Sequence, residues 1–502
     1  MLLHKGRGTR CPVCSSRYGS FDVLTPVSLG NSSALTHVAR VLMNGLPLDQ
    51  RKLLVFCDSR QDAAHQARFV EASEERVRLR RLVYFLLECE SEPHDLEWLV
   101  DGLHEQYIIQ GRFSKSKKKD QIKREKDRVW GELLAEFVIS PRARAALEKM
   151  GLVKVQYAGL DEALSGDDFQ RLCAQRQLRP SVAAHATRLI LDEMRQRMAV
   201  NHEVFKTRLF PNDKLASRFG IQVNRYVGKP VAFLLPQQKT VDSRAFKLSA
   251  TWNSKGNQTS IQRLWQHLNR VNDTINPGTA ESLEALFVWL SGQGYLCLET
   301  VGSEYEDGEG YQVNYNQLEF EVGRSFRRCS VCDRVAANVP DEHPCDRPIC
   351  SGRMRPWRGP IIEENLNALM AVQDYAPPLF AAEHSAAVTE EDREQAEDGF
   401  MNRNPPRPNL LACTPTLEMG VNIGDLEAVA MRNIPPSPAN YAQRSGRTGR
   451  VSRMGIVAGF SRNTPHDGYF FDHPGEIISG AIPPPRFNLD NLEAIARHTS
   501  EA

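Results

Sequence analysis

The 502-residue chain has no apolar run of membrane-spanning length, and its first residues, Met-Leu-Leu-His-Lys-Gly-Arg-Gly, hold no apolar core of signal-peptide size. The pattern therefore predicts a protein without a membrane partner, in the cytoplasm. Net charge is also nearly absent, at +1 from 63 basic and 62 acidic residues. No global field draws the chain to nucleic acid, so any such binding must come from local patches. A third absence bears on chemistry. No glycine-rich loop ends in Gly-Lys-Ser/Thr, the pattern that cradles nucleotide phosphates and magnesium. The nearest match, Ser254-Lys255-Gly256-Asn257, has the lysine and glycine in the wrong order. No Asp-Glu-x-His/Asp follows an apolar strand either. What is present is enough hydrophobic residue, 41%, to bury several cores.

The most informative stretch is residues 441–450, Tyr-Ala-Gln-Arg-Ser-Gly-Arg-Thr-Gly-Arg. Gln443, Arg444, Arg447 and Arg450 place three guanidinium groups and an amide within eight residues. Guanidinium stays charged at physiological pH and grips phosphate oxygens through a planar fork. Gly446 and Gly449 allow the turn that makes the arginines converge. Upstream, Leu410 to Cys413 is an apolar run with the look of a buried parallel strand. It breaks at Thr414-Pro415, and Gly420 and Asn422 follow. Far upstream, residues 51–60 (Arg-Lys-Leu-Leu-Val-Phe-Cys-Asp-Ser-Arg) form a second apolar strand and polar turn, then a helix with Ala63, Ala64, Ala67 and Val70 at helical spacing. A helix carrying Arg393, Glu397 and Phe400 precedes the 410 strand, with Arg393 and Glu397 spaced to pair.

In order, these segments resemble motifs IV, IVa, V and VI of superfamily-two DEAD/DEAH-box helicases, the C-terminal RecA-like half. The stretch after residue 450 resembles that following motif VI in large bacterial helicases with a C-terminal cysteine-rich module, the MrfA-type repair and Druantia-type defence helicases. The resemblance covers roughly residues 10–70 and 360–500. The resemblance implies roles by position. Arg447 and Arg450 would reach a γ-phosphate, and Gln443 would couple hydrolysis to movement. Arg444, Gly420 and Asn422 would lie near the nucleotide, although many relatives carry Asp at the last position. Ser59, Arg60 and Thr414 would hold the nucleic-acid backbone, DNA by expectation. ATP and Mg²⁺ would be bound mainly by the N-terminal RecA-like half, as upstream sequence or a separate subunit. The expected function is the C-terminal half of an ATP-dependent helicase or translocase, inactive alone, in DNA repair or phage defence. The alternative is a non-catalytic nucleic-acid-binding or scaffold subunit.

The chain holds 11 cysteines, a number that fits a reducing compartment with some thiols on metal. Cys329, Cys332, Cys345 and Cys350 suit a tetrahedral structural Zn²⁺. His343 is an alternative ligand, and Cys11 and Cys14 form a second pair without nearby partners. His466, Asp467 and His473 also sit close in sequence, but a packed aromatic extension fits that stretch better than a metal site.

The expected fold is a RecA-like parallel sheet with helices on both faces, strands at 53–57, 410–413, 427–431 and 455–460, and a large, mainly helical insertion. Residues 1–20 are read as a partial Cys-x2-Cys segment and linker. Residues 21–75 and 361–502 are read as the two parts of the RecA-like domain, and 76–275 as the helical insertion. Residues 276–325 have the helix, strand, acidic turn, strand order of a winged helix, with the second strand over 311–322. Residues 326–360 are the four-cysteine segment. Residues 180–206 read as one long amphipathic helix.

Overall fold

In the computed structural model the described residues are 31–47, 50–115, 118–139, 146–203, 231–236, 238, 247–254, 257–271, 278–302, 307–337, 339, 341–347, 350–359, 365–372, 378–402, 406–415, 423–424, 426–449 and 454–482. The chain divides into two compact units. One comprises residues 1–26 and 76–373, the other residues 27–75 and 374–502.

The second unit is built on a five-stranded, all-parallel sheet: β1 (Leu53–Phe56), β2 (Ala381–His384), β3 (Leu410–Cys413), β4 (Ala428–Met431) and β5 (Ile456–Gly459). The spatial order is β2-β3-β1-β4-β5, so β1 sits at the centre although it lies far away in sequence from its partners β3 and β4, which begin at Leu410 and Ala428. Its helices are α1 (Asn31–Gly45), α2 (Arg60–Glu88, which runs on into the first unit), α3 (Glu390–Met401), α4 (Pro438–Ser445), α5 (Pro465–Asp472) and α6 (Pro474–Ile478).

The strand sequences explain the layering. Successive side chains point to opposite faces of a sheet, so a strand covered on both sides must be apolar throughout. β1, β3 and β4 are buried at every residue. Leu53 and Val55 pack with Leu35, Ala39 and Met43 of α1 and Ala63, Ala67 and Val70 of α2. Leu54 and Phe56 pack on the other face with Ala396 and Phe400 of α3.

Strand limits agree with the sequence expectation to within one residue, and β2 is added at the sheet edge. The expected Arg393–Glu397 pair does not form. Glu397 instead holds His384 at the end of β2 at 2.6 Å, because α3 turns that acid toward the sheet edge.

The first unit is helix-rich and carries three small sheets. One joins His94–Asp95, Leu318–Val322 and Val153–Tyr157. A second contains Val200–Asn201, Val231–Leu234, Lys247–Ala250, Leu296–Gly302 and Asp307–Asn314. The third belongs to the four-cysteine segment: Phe326–Cys329, Val335–Ala337 and Met354–Trp357.

Two expectations need correction here. The long helix at 180–206 ends at Arg195. Met198 takes a left-handed backbone (φ 63°) and Ala199 N–H caps Met194 O at 3.0 Å, which turns the chain into the strand at Val200. The strand expected over 311–322 is two strands in different sheets. The Asn314 side chain accepts the Asn316 N–H at 3.2 Å and breaks the run with a short 3₁₀ turn. The helix–strand–strand order of a winged helix is present as Ala280–Gly292, Leu296–Gly302 and Asp307–Asn314. Part of its acidic turn, residues 303–306, lies outside the described residues.

Candidate functional site

Parallel strands aligned in one sheet present all their C-terminal ends along one edge. Here that edge gathers Asp58, Ser59 and Arg60 after β1, Thr414 after β3, Arg432 and Asn433 after β4, and Ser461 and Arg462 after β5. Helix α4 starts beyond β4. Ser437 caps it by accepting Asn440 N–H at 3.3 Å, and Pro438 fills the first turn, where its missing N–H costs nothing.

The last turn of α4 carries Arg444, which is buried. It faces inward over the Phe56 ring, 5.5 Å from its centroid, and its Nη1 lies 3.5 Å from Asp58 Oδ1. Asp58 is a hub. Asn433 donates to its Oδ2, and Arg462 Nη2 stands 3.8 Å from the same oxygen. Arg462 also meets Asp467 at 3.1 Å. Asp467 is fully buried and accepts the Arg462 backbone N–H at 2.9 Å and contacts His466 Nδ1 at 3.1 Å. Burial pushes its carboxyl up, but these donors outweigh burial and hold it at about 2. Arg432 pairs with Asp62 in the first turn of α2. Behind the hub, burial pushes the Cys57 thiol up to about 12, so it is an inert packing group.

The turn after α4 is fixed by backbone contacts. Gly449 N–H donates to Leu426 O at 3.1 Å, and Thr448 bridges to Leu426. Gly449 sits at φ 68°, a region that costs a side chain strain, whereas Gly446 at φ −66° does not use that freedom. Arg447 is buried in this turn and Gln443 is exposed on α4. Thr414 is buried beside β1. Ser59 caps α2 by accepting Asp62 N–H at 3.1 Å, and the exposed Arg60 has no ion-pair partner among the described residues. The structure thus brings Arg444 to the residue just before Ser59 and Arg60, and Thr414 to the neighbouring strand end. Gly420, Asn422 and Arg450 lie outside the described residues, as do Cys11 and Cys14.

Sequence reasoning missed Asp58, Asn433, Arg462 and Asp467 as a network. A polar residue directly after each apolar strand was the available signal.

The four cysteines of the first unit converge. Cys329 and Cys350 sulfurs are 3.6 Å apart, as are Cys332 and Cys345, and all four sulfurs lie within 4.8 Å of one another. Disulfide sulfurs sit about 2.05 Å apart, so these are free thiols. Ligands at about 2.3 Å from a tetrahedral ion stand roughly 3.8 Å from each other. Each sulfur also accepts the backbone N–H two residues on: Val331 and Gly352 at 3.4 Å, and those of Arg334 and Arg347. That explains why the wide Cys345–Cys350 spacing still works, because every cysteine closes its own small turn. Gly352 must be glycine, since a Cβ there would collide with the Cys329 sulfur. The residues fit a four-thiolate metal ion. His343 is not in the set: its Nδ1 bonds Pro344 O at 2.9 Å and its ring packs on His185. His466 Nδ1 contacts Asp467 Oδ1 at 3.1 Å, and the two form no metal cluster with His473 among the described residues.

Residues 372–452 match the family model described as helicase conserved C-terminal domain. The second unit thus carries a helicase conserved C-terminal domain, on a parallel sheet like that expected from the superfamily-two resemblance. Among curated proteins, the chain is 34% identical over 177 residues to Druantia protein DruE of Escherichia coli (strain UMEA 4076-1), covering 34% of this chain and 10% of DruE. It is 38% identical over 121 residues to the Lhr helicase/probable uracil glycosylase of Mycolicibacterium smegmatis (strain ATCC 700084 / mc(2)155), covering 24% of this chain and 7% of that protein. The matches thus span a tenth or less of these relatives' length. Among solved structures, the DUF1998 helicase MrfA bound to DNA and AMPPNP aligns with 27% identity and a TM-score of 0.22, covering 24% of this chain and 16% of that one. The family model begins after β1, so the central strand of the sheet lies outside the matched stretch.

Proposed function

We propose that this helicase half works against a first RecA-like half that binds ATP and Mg²⁺, and that together they translocate on DNA. The observation that carries the proposal is the Arg444–Asp58 contact. It joins residues 386 apart in sequence and sets the arginine-bearing helix beside the turn that holds Ser59 and Arg60. In this reading Arg444 anchors the helix near the nucleotide. Arg447 and Arg450 ride on the following turn and stabilise charge on the γ-phosphate, and exposed Gln443 links that event to domain closure. Gly420 and Asn422 approach the nucleotide. Arg60, the Ser59 hydroxyl, Thr414 and the N-terminus of α2 hold backbone phosphates, because a helix N-terminus favours anions. Cys329, Cys332, Cys345 and Cys350 hold Zn²⁺, which ties the ends of the four-cysteine segment together. A role in repair or phage defence follows the sequence resemblance.

The absence of a Gly-Lys-Ser/Thr loop from the 502 residues favours a second reading, a nucleic-acid-binding or scaffold subunit. The test is ATP hydrolysis by the chain alone, and with a polypeptide supplying the Gly-Lys-Thr half, with and without single-stranded DNA or RNA. We expect little activity alone, DNA-stimulated activity together, and a loss of about 10³-fold or more for Arg447→Ala. Strong hydrolysis by the chain alone refutes the division of labour. No activity in the pair, or none lost in Arg447→Ala, favours the scaffold.

A further inference from the structure

The first unit contains a cavity of about 540 Å³, and none of its lining residues belongs to the helicase motifs. That is within the size range of small-molecule sites, roughly 300–1,000 Å³. One wall is a polar stripe of the helix Pro180–Arg195: His185, Arg188 and Asp192 stand three or four residues apart, with Glu193 next to Asp192. A helix stripe at that spacing ordinarily faces solvent or core. The opposite wall comes from the four-cysteine segment, through Arg334 to Ala337 and Asp346.

Most charges in the lining are matched. Arg188 meets Asp161 at 2.6 Å, Arg334 meets Asp346 at 2.8 Å, and Glu193 meets Arg197 at 2.7 Å. Two groups are not. Glu148 and Asp192 share a single guanidinium, that of the fully buried Arg195, at 2.8 and 3.1 Å. One negative charge is therefore in excess, and Glu148 Oε2 is buried with no hydrogen-bond partner. Lys149 lines the same cavity and has no ion-pair partner among the described residues. Burial pushes the Lys149 amine down and the Asp192 carboxyl up, as expected for charges held short of compensation. His185 adds a neutral donor and acceptor. It is buried, both ring nitrogens lack partners, and burial followed by His343, Arg188 and Arg334 holds its imidazole at about 3. Leu189, Leu264 and Phe326 supply apolar surface.

A buried carboxylate oxygen of Glu148 with no donor and a Lys149 ammonium with no ion-pair partner among the described residues, in one small cavity, suit a ligand carrying both opposite charges. A phosphate-bearing ligand would meet Asp192 and Glu193. We propose that this cavity binds a small zwitterion of the amino-acid class, its carboxylate on Lys149, its ammonium at Glu148, and its side chain against Leu189 and Leu264. The four-cysteine segment then has a second task. The Arg334 backbone N–H holds the Cys332 sulfur while its side chain holds Asp346, next to Cys345, so the far wall is set by the four sulfurs.

The test is calorimetric titration and thermal unfolding of the full 502-residue chain with L-leucine, L-phenylalanine and L-arginine. Butylamine, butyrate and AMP serve as single-charge and phosphate controls. We expect at least one amino acid to bind one-to-one and raise Tm, and the three controls to do neither. Lys149→Met should weaken binding by at least about tenfold. Ala336→Phe, which fills the cavity from the four-cysteine wall, should abolish binding with Tm retained, so loss of fold is not mistaken for loss of site. Chelation of the metal should also abolish binding. The proposal is overturned if no amino acid binds at about 10 mM. It is equally overturned if a control binds as well as the amino acids, or if binding survives Lys149→Met or Ala336→Phe.

Discussion

Asp58 can be tested as the hub of the sheet edge by replacing it with alanine. The substitution removes the acid that faces Arg444 at 3.5 Å and Arg462 at 3.8 Å, and the acceptor for Asn433. Uncovering a buried guanidinium costs about 3–5 kcal/mol when it is wholly desolvated. The Asp58 side chain is 36% exposed, so solvent screens much of that, and about 2 kcal/mol is the reasoned figure. The readout has to be local. All six tryptophans, at 98, 130, 252, 265, 289 and 357, lie in the first unit, so their fluorescence serves as an internal control. Amide hydrogen exchange of residues 53–56 and 428–431 reports the second unit. A loss of about 2 kcal/mol should speed exchange by roughly thirtyfold where exchange follows unit unfolding. A double-mutant cycle with Arg444→Met isolates the pair, and a coupling of about 1 kcal/mol or more is expected. A coupling near zero, or unchanged exchange in β1 and β4 of Asp58→Ala, would refute the hub.

Three further outcomes follow from the geometry. Gly352→Ala places a Cβ against the Cys329 sulfur, so metal affinity measured by chelator competition should fall about 10- to 100-fold while the free thiol count after denaturation stays the same. Asp467→Asn should destabilise the second unit by about 2 kcal/mol at neutral pH. The native carboxyl is held near 2 against an ordinary 3.8, so its contribution is complete above about 4 and is lost as pH falls toward 2; acid unfolding curves of wild type and variant should converge there. Arg60→Ala removes an exposed cation at the tip of α2, and the slope of log affinity for single-stranded DNA against log salt should shrink by about 0.7.

The parts of the fold that could be read in the sequence are those whose local pattern and tertiary role coincide. β1, β3 and β4 are buried on both faces, so each is an unbroken apolar run closed by a polar residue. β2 was less legible: Ala381-Ala-Glu-His384 is half polar because it lies at the sheet edge, where only one neighbour covers it. In the first unit many strands are two to five residues long, too short to show a period, and the strand at 311–322 hid a break made by one asparagine side chain. The cysteine set was legible because thiolate spacing is itself a local signature.

The sheet-edge network was not legible for a physical reason. Asp58 and Arg444 each look like ordinary polar residues after an apolar segment, and their meeting depends on β1 inserting between β3 and β4. That insertion also changes the meaning of the arginine-rich stretch. Its first arginine is engaged inside the domain, by Asp58 on one side and the Phe56 ring below. It works as an anchor, whereas Arg447 lies in the following turn, which the Gly449 N–H ties to Leu426 O. Three guanidinium groups that appear equivalent in sequence are therefore unequal in role. A charge-preserving Arg444→Lys loses the planar fork and the stacking on Phe56, so it should loosen the helix that aims Arg447. Arg447→Lys should leave β1 and β4 exchange untouched, and under the proposed function it should lower only DNA-stimulated ATP hydrolysis.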